Sequence, residues 1–127
     1  MTEVQVLIVD DSSVMRKIIE RALRQSGLDA IVVHEASSGL DGLEVLRQHS
    51  VHVILSDINM PSMDGLEFLR QIQSQRLAPG VPVVMITTES SEEHVRQAIQ
   101  CGARGYIRKP FTAEQVKERV LPLLNID

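Results

Sequence analysis

The stretch VHVILSDINMP, residues 51–61, decides the fold. It is an apolar run of strand length that leads to Asp57, and Pro61 lacks the backbone N–H that a further strand residue would donate. Strands buried on both faces have this continuous apolar character and belong to parallel sheets. The stretch therefore predicts a buried parallel strand that carries a carboxylate to the carboxyl end of a sheet, where open α/β folds bind their ligands.

Three other strand-like runs bring polar side chains to the same edge. The carboxyl ends of parallel strands lie along one side of a sheet, so the acids, hydroxyls and lysine that follow these runs are expected to lie close together. The runs and the residues after them are 4–9 with Asp10 and Asp11, 82–86 with Thr87 and Thr88, and 105–108 with Lys109 and Pro110.

Helix-like segments with apolar residues at helical spacing alternate with the strands. Because parallel strands need such crossovers, the pattern predicts one domain over residues 1–127, a flavodoxin-like doubly wound α/β fold. Its five parallel strands have the order 2-1-3-4-5, with five helices, and the second strand (30–35) lies at an edge. The predicted boundaries are helix caps at Ser12 or Ser13 and at Ser37 or Ser38, a polar loop over 71–80, and capping boxes at 90–93 and 112–115.

Composition narrows the class of protein. The 127 residues are 43% hydrophobic and 24% charged, which is ordinary for a folded domain. The net charge of −4 argues against direct nucleic-acid binding, which needs a basic face. The sequence predicts no signal peptide and no membrane span, and Cys101, the one cysteine, has no partner for a disulfide or a zinc site. We expect a cytoplasmic protein.

The predicted neighbours Asp10, Asp11 and Asp57 repel one another unless cations neutralise them. Lys109 is one such cation. Oxygen ligands without histidine or cysteine suit a hard metal ion, and few carboxylates near a phosphate favour Mg²⁺ over Ca²⁺. An ionised aspartate beside Mg²⁺ and a lysine is a competent phosphoryl acceptor, because both cations stabilise the charge of the transferring group. Thr87 can donate its hydroxyl to that group.

These motifs, in order along the whole chain, resemble the receiver domain of two-component response regulators. The resemblance rests on the acid pair at 10–11, Asp57 with NMPSMDG at 59–65, the threonine pair at 87–88 and KPF at 109–111. It implies that Asp57 accepts a phosphoryl group from a histidine kinase or phosphotransfer protein. It also implies that the Lys109–Pro110 peptide bond is cis, a form common only before proline.

The resemblance assigns further roles at the site. It implies that Mg²⁺ is bound by Asp11, Asp57 and the Asn59 carbonyl, with Asp10 acting through water. The implied contacts of the phosphoryl group are Asn59, Thr87, the Thr88 amide and Lys109. The implied switch residues are Thr87 and Tyr106, and the implied output surface is formed by the fourth helix, the fifth strand and the fifth helix, where a downstream protein binds.

Within the family, the closest likeness is to the single-domain chemotaxis regulators. The chain shares their choices at Asn59 and Glu89, which tune the rates of phosphate chemistry, and at Tyr106. It departs from them at Ile58, where they have tryptophan, and at residues 92–93, where two glutamates begin the fourth helix and those regulators have lysine. The second departure argues against binding to a flagellar motor, because the lysine of those regulators lies near their motor-binding surface.

Three alternatives to a stand-alone, switching receiver remain open. An α/β phosphatase with an aspartate nucleophile would need a general acid two residues later, where this chain has Asn59, and a cap region for its substrate. The chain could also be the receiver part of a longer DNA-binding regulator, or a phosphate reservoir in a phosphorelay. The favoured interpretation is not an enzyme for a separate metabolite: the protein catalyses only its own phosphorylation and dephosphorylation.

Overall fold

The computed structural model describes residues 3–28, 30–88 and 91–124. Its centre is a five-stranded parallel sheet of order β2-β1-β3-β4-β5. The strands are β1 Val4–Val9, β2 Ile31–Ala36, β3 Val53–Ser56, β4 Val83–Thr87 and β5 Gly105–Arg108. The flavodoxin-like strand order predicted from the sequence is confirmed.

Strand β3 lies in the middle of the sheet because its side chains are apolar on both faces. All four of its residues are buried, and Ser56 at its end is in register with Val9 of β1 and Met85 of β4. Strand β2, with a more polar and half-buried pattern, lies at an edge as predicted. The strand order reverses between β1 and β3, so a ligand crevice is expected at the carboxyl ends of these two strands.

In the described residues, four α-helices connect successive strands and a fifth follows β5. Each is preceded by a side chain that accepts a hydrogen bond from a backbone N–H three residues later. The capping box predicted at 112–115 is confirmed by reciprocal bonds between Thr112 and Gln115. The helices, each with its N-cap residue, are α1 Ser13–Gln25 (Ser12), α2 Gly39–Gln48 (Ser38), α3 Gly65–Ser74 (Asp64), α4 Glu92–Gln100 (Ser91) and α5 Ala113–Val120 (Thr112).

The helices cover both faces of the sheet with separate apolar cores. Helices α1 and α5 supply one core and α2, α3 and α4 the other, and the largest fully buried side chain among the described residues is Phe68 of α3. The two cores fix the sheet between the layers, so the strand ends that carry the polar residues are held rigidly. In the part of the chain that the structure describes, no helix is long and apolar enough to cross a membrane.

Two boundary predictions are wrong. The polar loop predicted over 71–80 begins later, because α3 continues to Ser74; Ile72 is buried, and its carbonyl accepts from the Leu77 N–H after the helix. Polar side chains on the solvent side of a helix resemble a loop when they are read in sequence alone. The capping box predicted at 90–93 is displaced: the N-cap of α4 is Ser91, which accepts from the His94 N–H, and Ser90 lies outside the described residues.

Candidate functional site

The centre of the site is Asp57, the residue that follows β3. It is buried, with 8% of its surface exposed, and its backbone N–H donates to the Val9 carbonyl. One carboxylate oxygen accepts hydrogen bonds from the backbone N–H groups of Ile58 (2.7 Å) and Asn59 (3.2 Å), whereas the other accepts from Lys109. The carboxylate is therefore held in one orientation by the turn that follows it, with its charge matched by a cation.

Asp10 and Asp11 follow β1, the neighbouring strand. Asp10 is 1% exposed, and its carboxylate accepts from the Ser12 N–H at 2.9 Å and from Lys109 Nζ at 2.8 Å. Asp11 is exposed, and among the described residues its carboxylate has no hydrogen-bond or ion-pair partner. One carboxylate oxygen from each of Asp10, Asp11 and Asp57 lies within 4.8 Å of the others. The structure thus brings the three predicted acids together.

Lys109 extends from the end of β5 into this cluster, and its Nζ lies 2.8 Å from Asp10 Oδ2 and 3.0 Å from Asp57 Oδ2. Burial alone would lower the pKa of Lys109, but the hydrogen bonds and the charges of Asp10 and Asp57 together outweigh it and raise the pKa above its usual value. The lysine is therefore a fixed positive charge. The Lys109–Pro110 peptide bond is cis, as predicted.

The other predicted residues that the structure describes lie on or shortly after strands β3, β4 and β5. Thr87 is fully buried at the end of β4, and its carbonyl accepts from the Lys109 N–H at 2.8 Å. Thr88 is exposed beside it, and Asn59 is exposed after Asp57. Tyr106 is half-buried on β5, opposite Met85 of β4. Glu89 lies outside the described residues.

Sequence reasoning missed three residues that shape the site. Arg16 of α1 donates to the Asp10 carbonyl, and Ser56 donates from its hydroxyl to the Asp57 carbonyl. Gly65 begins α3 against the strand end, and a Cβ there would collide with the Asp57 carbonyl oxygen. The NMPSMDG motif contained Gly65, so its position was visible in the sequence; nothing in the sequence distinguished Arg16 from a solvated surface residue.

The donor set fits a hard divalent cation. Three carboxylates and one ammonium leave a formal charge of −2 at the site. Two ligand oxygens on opposite sides of Mg²⁺ are about 4.2 Å apart, so oxygens within 4.8 Å need only a small movement, or one intervening water, to surround the ion. Both oxygens of Asp10 already accept hydrogen bonds, which favours the water-mediated role expected for that residue.

Replacing Asp11 with alanine is expected to raise the melting temperature of the metal-free protein, because it relieves repulsion within the cluster. It should also abolish the further rise that Mg²⁺ is expected to produce in the parent protein, since an ion that binds only the native state stabilises it by mass action. Thermal melts with and without Mg²⁺ measure both effects. Glu118→Ala, an exposed acid on α5, is the control and should change neither. An undiminished response to Mg²⁺ in Asp11→Ala would exclude Asp11 as a principal ligand.

Comparison with known proteins agrees with this geometry. The family model of the response regulator receiver domain matches residues 6–121. The chain belongs to this receiver family. Chemotaxis protein CheY-3 of Vibrio cholerae is 39% identical over 116 residues, which cover 91% of this chain and 88% of that protein. A chemotaxis protein CheY homolog of Campylobacter jejuni is 36% identical over 121 residues, which cover 94% of this chain and 92% of that protein.

The solved structures support the same conclusion. The structure of CheY4 of Vibrio cholerae superimposes with a TM-score of 0.86 at 32% identity, covering 97% of this chain and all of that one. The protein is thus a CheY-like receiver domain of two-component signal transduction, and its fold and family are those that the sequence motifs predict. Phosphate acceptance is general to receivers, so the acid cluster at the carboxyl ends of β1 and β3 is the place where that chemistry is expected.

Proposed function

We propose that this protein is a stand-alone receiver that accepts a phosphoryl group on Asp57 from a histidine kinase or phosphotransfer protein in a Mg²⁺-dependent reaction. The observation that carries the proposal is the joint contact of Lys109 Nζ with Asp10 and Asp57 inside a three-acid cluster. The chain covers 88% of the length of chemotaxis protein CheY-3, so the receiver domain accounts for most of that relative. A cytoplasmic location, as predicted from the sequence, suits this role.

In the proposed reaction, a carboxylate oxygen of Asp57 attacks phosphorus in line with the bond to the donor. The new O–P bond forms as the N–P bond of a phosphohistidine breaks, and the electron pair of that bond remains on the imidazole nitrogen, which takes up a proton. When bound, the Mg²⁺ ion would offset the charge on the phosphoryl oxygens. Asp11, Asp57 and the Asn59 carbonyl would hold it, with Asp10 bonded through water.

The protein's own groups prepare Asp57 for this attack. The N–H groups of Ile58 and Asn59 fix one carboxylate oxygen, so the carboxylate does not have to reorient during the reaction. Lys109 stays protonated and would contact a phosphoryl oxygen, as would Asn59, Thr87 and the Thr88 amide. No separate metabolite is transformed, so the protein is not an enzyme in the usual sense: it catalyses its own phosphorylation and dephosphorylation.

The proposed output lies at the surface formed by α4, β5 and α5. Phosphorylation would draw Thr87 and Tyr106 inward and favour one state of an existing equilibrium. Helix α4 begins with two exposed glutamates and exposes 61% of Ile99. A downstream partner with basic or apolar groups would complement this surface, so a partner that selects for lysine-bearing regulators is not expected here.

Addition of beryllofluoride and Mg²⁺, which imitate the phosphorylated aspartate, is expected to shift the backbone amide signals of Val95, Tyr106 and Ile107 as well as those at the site. The reason is that Lys109, which directly follows β5, contacts Asp57. Tyr106 and Ile107 lie on that strand, so a change at Asp57 can reach them through β5. Two-dimensional NMR of the labelled protein measures the shifts, and Asp57→Asn is the control that should lose them.

Shifts confined to residues that touch the metal and the phosphate mimic would contradict the switching role. In that case the protein would accept phosphate without changing its output surface, and a phosphate reservoir in a phosphorelay would be the better description. The phosphatase alternative is disfavoured by Asn59, which occupies the position where such enzymes need a general acid.

A further inference from the structure

Arg16 connects helix α1 to the backbone of the site. Its Nη1 donates to the carbonyl oxygen of Asp10 at 2.6 Å, and its Nε donates to Glu35 Oε1 of β2 at 2.8 Å. The side chain is only 15% exposed, although it carries a full charge. A guanidinium that is mostly buried and bonded at two points is held in place, in contrast to a solvated surface arginine.

The carbonyl of Asp10 needs such a donor. Strand β1 ends at Val9. The Asp10 N–H still donates to the Ala36 carbonyl of β2, and this is the last hydrogen bond that Asp10 makes to that strand. Asp10 is 1% exposed, so a carbonyl there without a partner would be costly. Arg16 meets this requirement with a charged donor, which forms a shorter and stronger hydrogen bond than a neutral group does.

Glu35 fixes the guanidinium from the edge of the sheet. Its second oxygen accepts from Lys17 Nζ at 2.9 Å, so the carboxylate links two cations of α1 to β2. The hydrogen bonds from Lys17 and Arg16 lower the pKa of Glu35 below its usual value, so the anchor stays ionised at neutral pH. The unit of Arg16 and Glu35 thus joins α1, β1 and β2 at the site edge.

The Asp10 carbonyl belongs to the peptide group that joins Asp10 to Asp11. The carboxylate of Asp10 is held on both oxygens, but the exposed Asp11 carboxylate accepts no hydrogen bond within the described residues. Its place in the cluster therefore depends on the orientation of that peptide group. We propose that Arg16, anchored by Glu35, is a positioning residue that sets the Asp10–Asp11 peptide so that Asp11 is directed at the cation site; this rests on the Mg²⁺ site proposed above.

A matched pair of variants separates positioning from charge. Arg16→Gln and Lys17→Gln each remove one positive charge from the same helix turn and one bond to Glu35, but only Arg16 touches the Asp10 carbonyl. Loss of a positive charge near a cation site should strengthen Mg²⁺ binding through Coulomb attraction. Loss of the positioning contact should weaken it, because partners that orient metal ligands typically account for about 10–100-fold in affinity. For Arg16→Gln, the two explanations therefore predict opposite changes in Mg²⁺ affinity.

The test is a Mg²⁺ titration of the full chain at a temperature where every variant is folded. Binding is monitored through the NMR signal of the Asp11 amide. We expect Arg16→Gln to bind Mg²⁺ about tenfold more weakly than the parent, with a shifted Asp11 amide even before metal is added. Lys17→Gln should bind as tightly as the parent or more tightly. Arg16→Lys should recover part of the loss.

Two outcomes are decisive. Equal or tighter Mg²⁺ binding by Arg16→Gln would overturn the positioning role while leaving the metal site intact, whereas absence of saturable Mg²⁺ binding in the parent would overturn the proposed function itself. If Arg16→Gln does not fold, Glu35→Gln serves instead, because it keeps the arginine but removes the charge that anchors it. Glu35→Gln also removes a negative charge, which weakens Mg²⁺ binding by itself, so its readout is the Asp11 amide signal before metal is added. A shifted Asp11 signal is expected, and an unchanged one would contradict the proposal.

Discussion

Replacement of Asp57 by asparagine is expected to reduce phosphorylation by acetyl phosphate to background, a loss of roughly 10³-fold or more, as is usual when a nucleophile is removed. The amide has nearly the shape of the carboxylate and can still accept from the Ile58 and Asn59 N–H groups, but it lacks the charge needed to attack phosphorus. Intact-mass spectrometry in the presence of Mg²⁺ measures the phosphorylated fraction over time.

The matched control for this variant is Asp64→Asn. Asp64 is the N-cap of α3 and accepts from the Glu67 N–H outside the acid cluster, and asparagine caps a helix as well as aspartate does. It should be phosphorylated at the parent's rate. Equal phosphorylation of Asp57→Asn and the parent would show that another residue is the acceptor.

The second large effect is expected at Lys109. Replacement by methionine leaves Asp10 and Asp57 without the ammonium that both contact, in a cluster that already carries an excess of negative charge. Removing one partner of a buried ion pair typically lowers the free energy of unfolding by about 3–5 kcal/mol. Here we expect a decrease of roughly 2 kcal/mol, because Asp11 is exposed and that side of the cluster is in contact with solvent. Urea unfolding without divalent metal measures the loss.

Addition of Mg²⁺ should stabilise Lys109→Met more than it stabilises the parent, because the metal then supplies the neutralising charge that the lysine provided. Lys117→Met, an exposed lysine on α5, is the control and should leave both the stability and the metal response unchanged. If Lys109→Met is as stable as the parent without metal, the contacts of Lys109 with the two acids carry little energy and its assigned role would need revision.

The sequence was sufficient to predict the sheet and the meeting of Asp10, Asp11, Asp57 and Lys109 at its carboxyl edge, and the reason is the apolar character of the strands. Continuous apolar runs identify buried parallel strands directly, and the three clustered acids follow two of these runs, β1 and β3. Asp57 and Lys109 are 52 residues apart, yet both stand at carboxyl ends of one sheet, and the long lysine side chain reaches across β4 to the aspartate. The family motif NMPSMDG added independent support for the same order.

Contacts made by long polar side chains could not be predicted in this way. The bond from Arg16 to Glu35 spans 19 residues and depends on how α1 lies against the edge strand, which no spacing rule specifies. The end of α3 was misplaced for a related reason, because glutamine and serine are compatible with either a helix or a loop, and the buried Ile72 was the deciding residue. Tertiary packing determines both the Arg16–Glu35 bond and the end of α3.

The role of Asp57 as the acceptor is tested by locating the phosphoryl group on the chain. The protein is incubated with acetyl phosphate, with Mg²⁺ or with a chelator, and the acyl phosphate is reduced with borohydride, which converts a phosphorylated aspartate to homoserine. Peptide mass spectrometry then identifies the position. We predict homoserine at position 57 in the Mg²⁺ sample and none with the chelator. Modification at another residue would exclude Asp57 as the acceptor, and equal modification of Asp57 without divalent metal would exclude a Mg²⁺-dependent reaction.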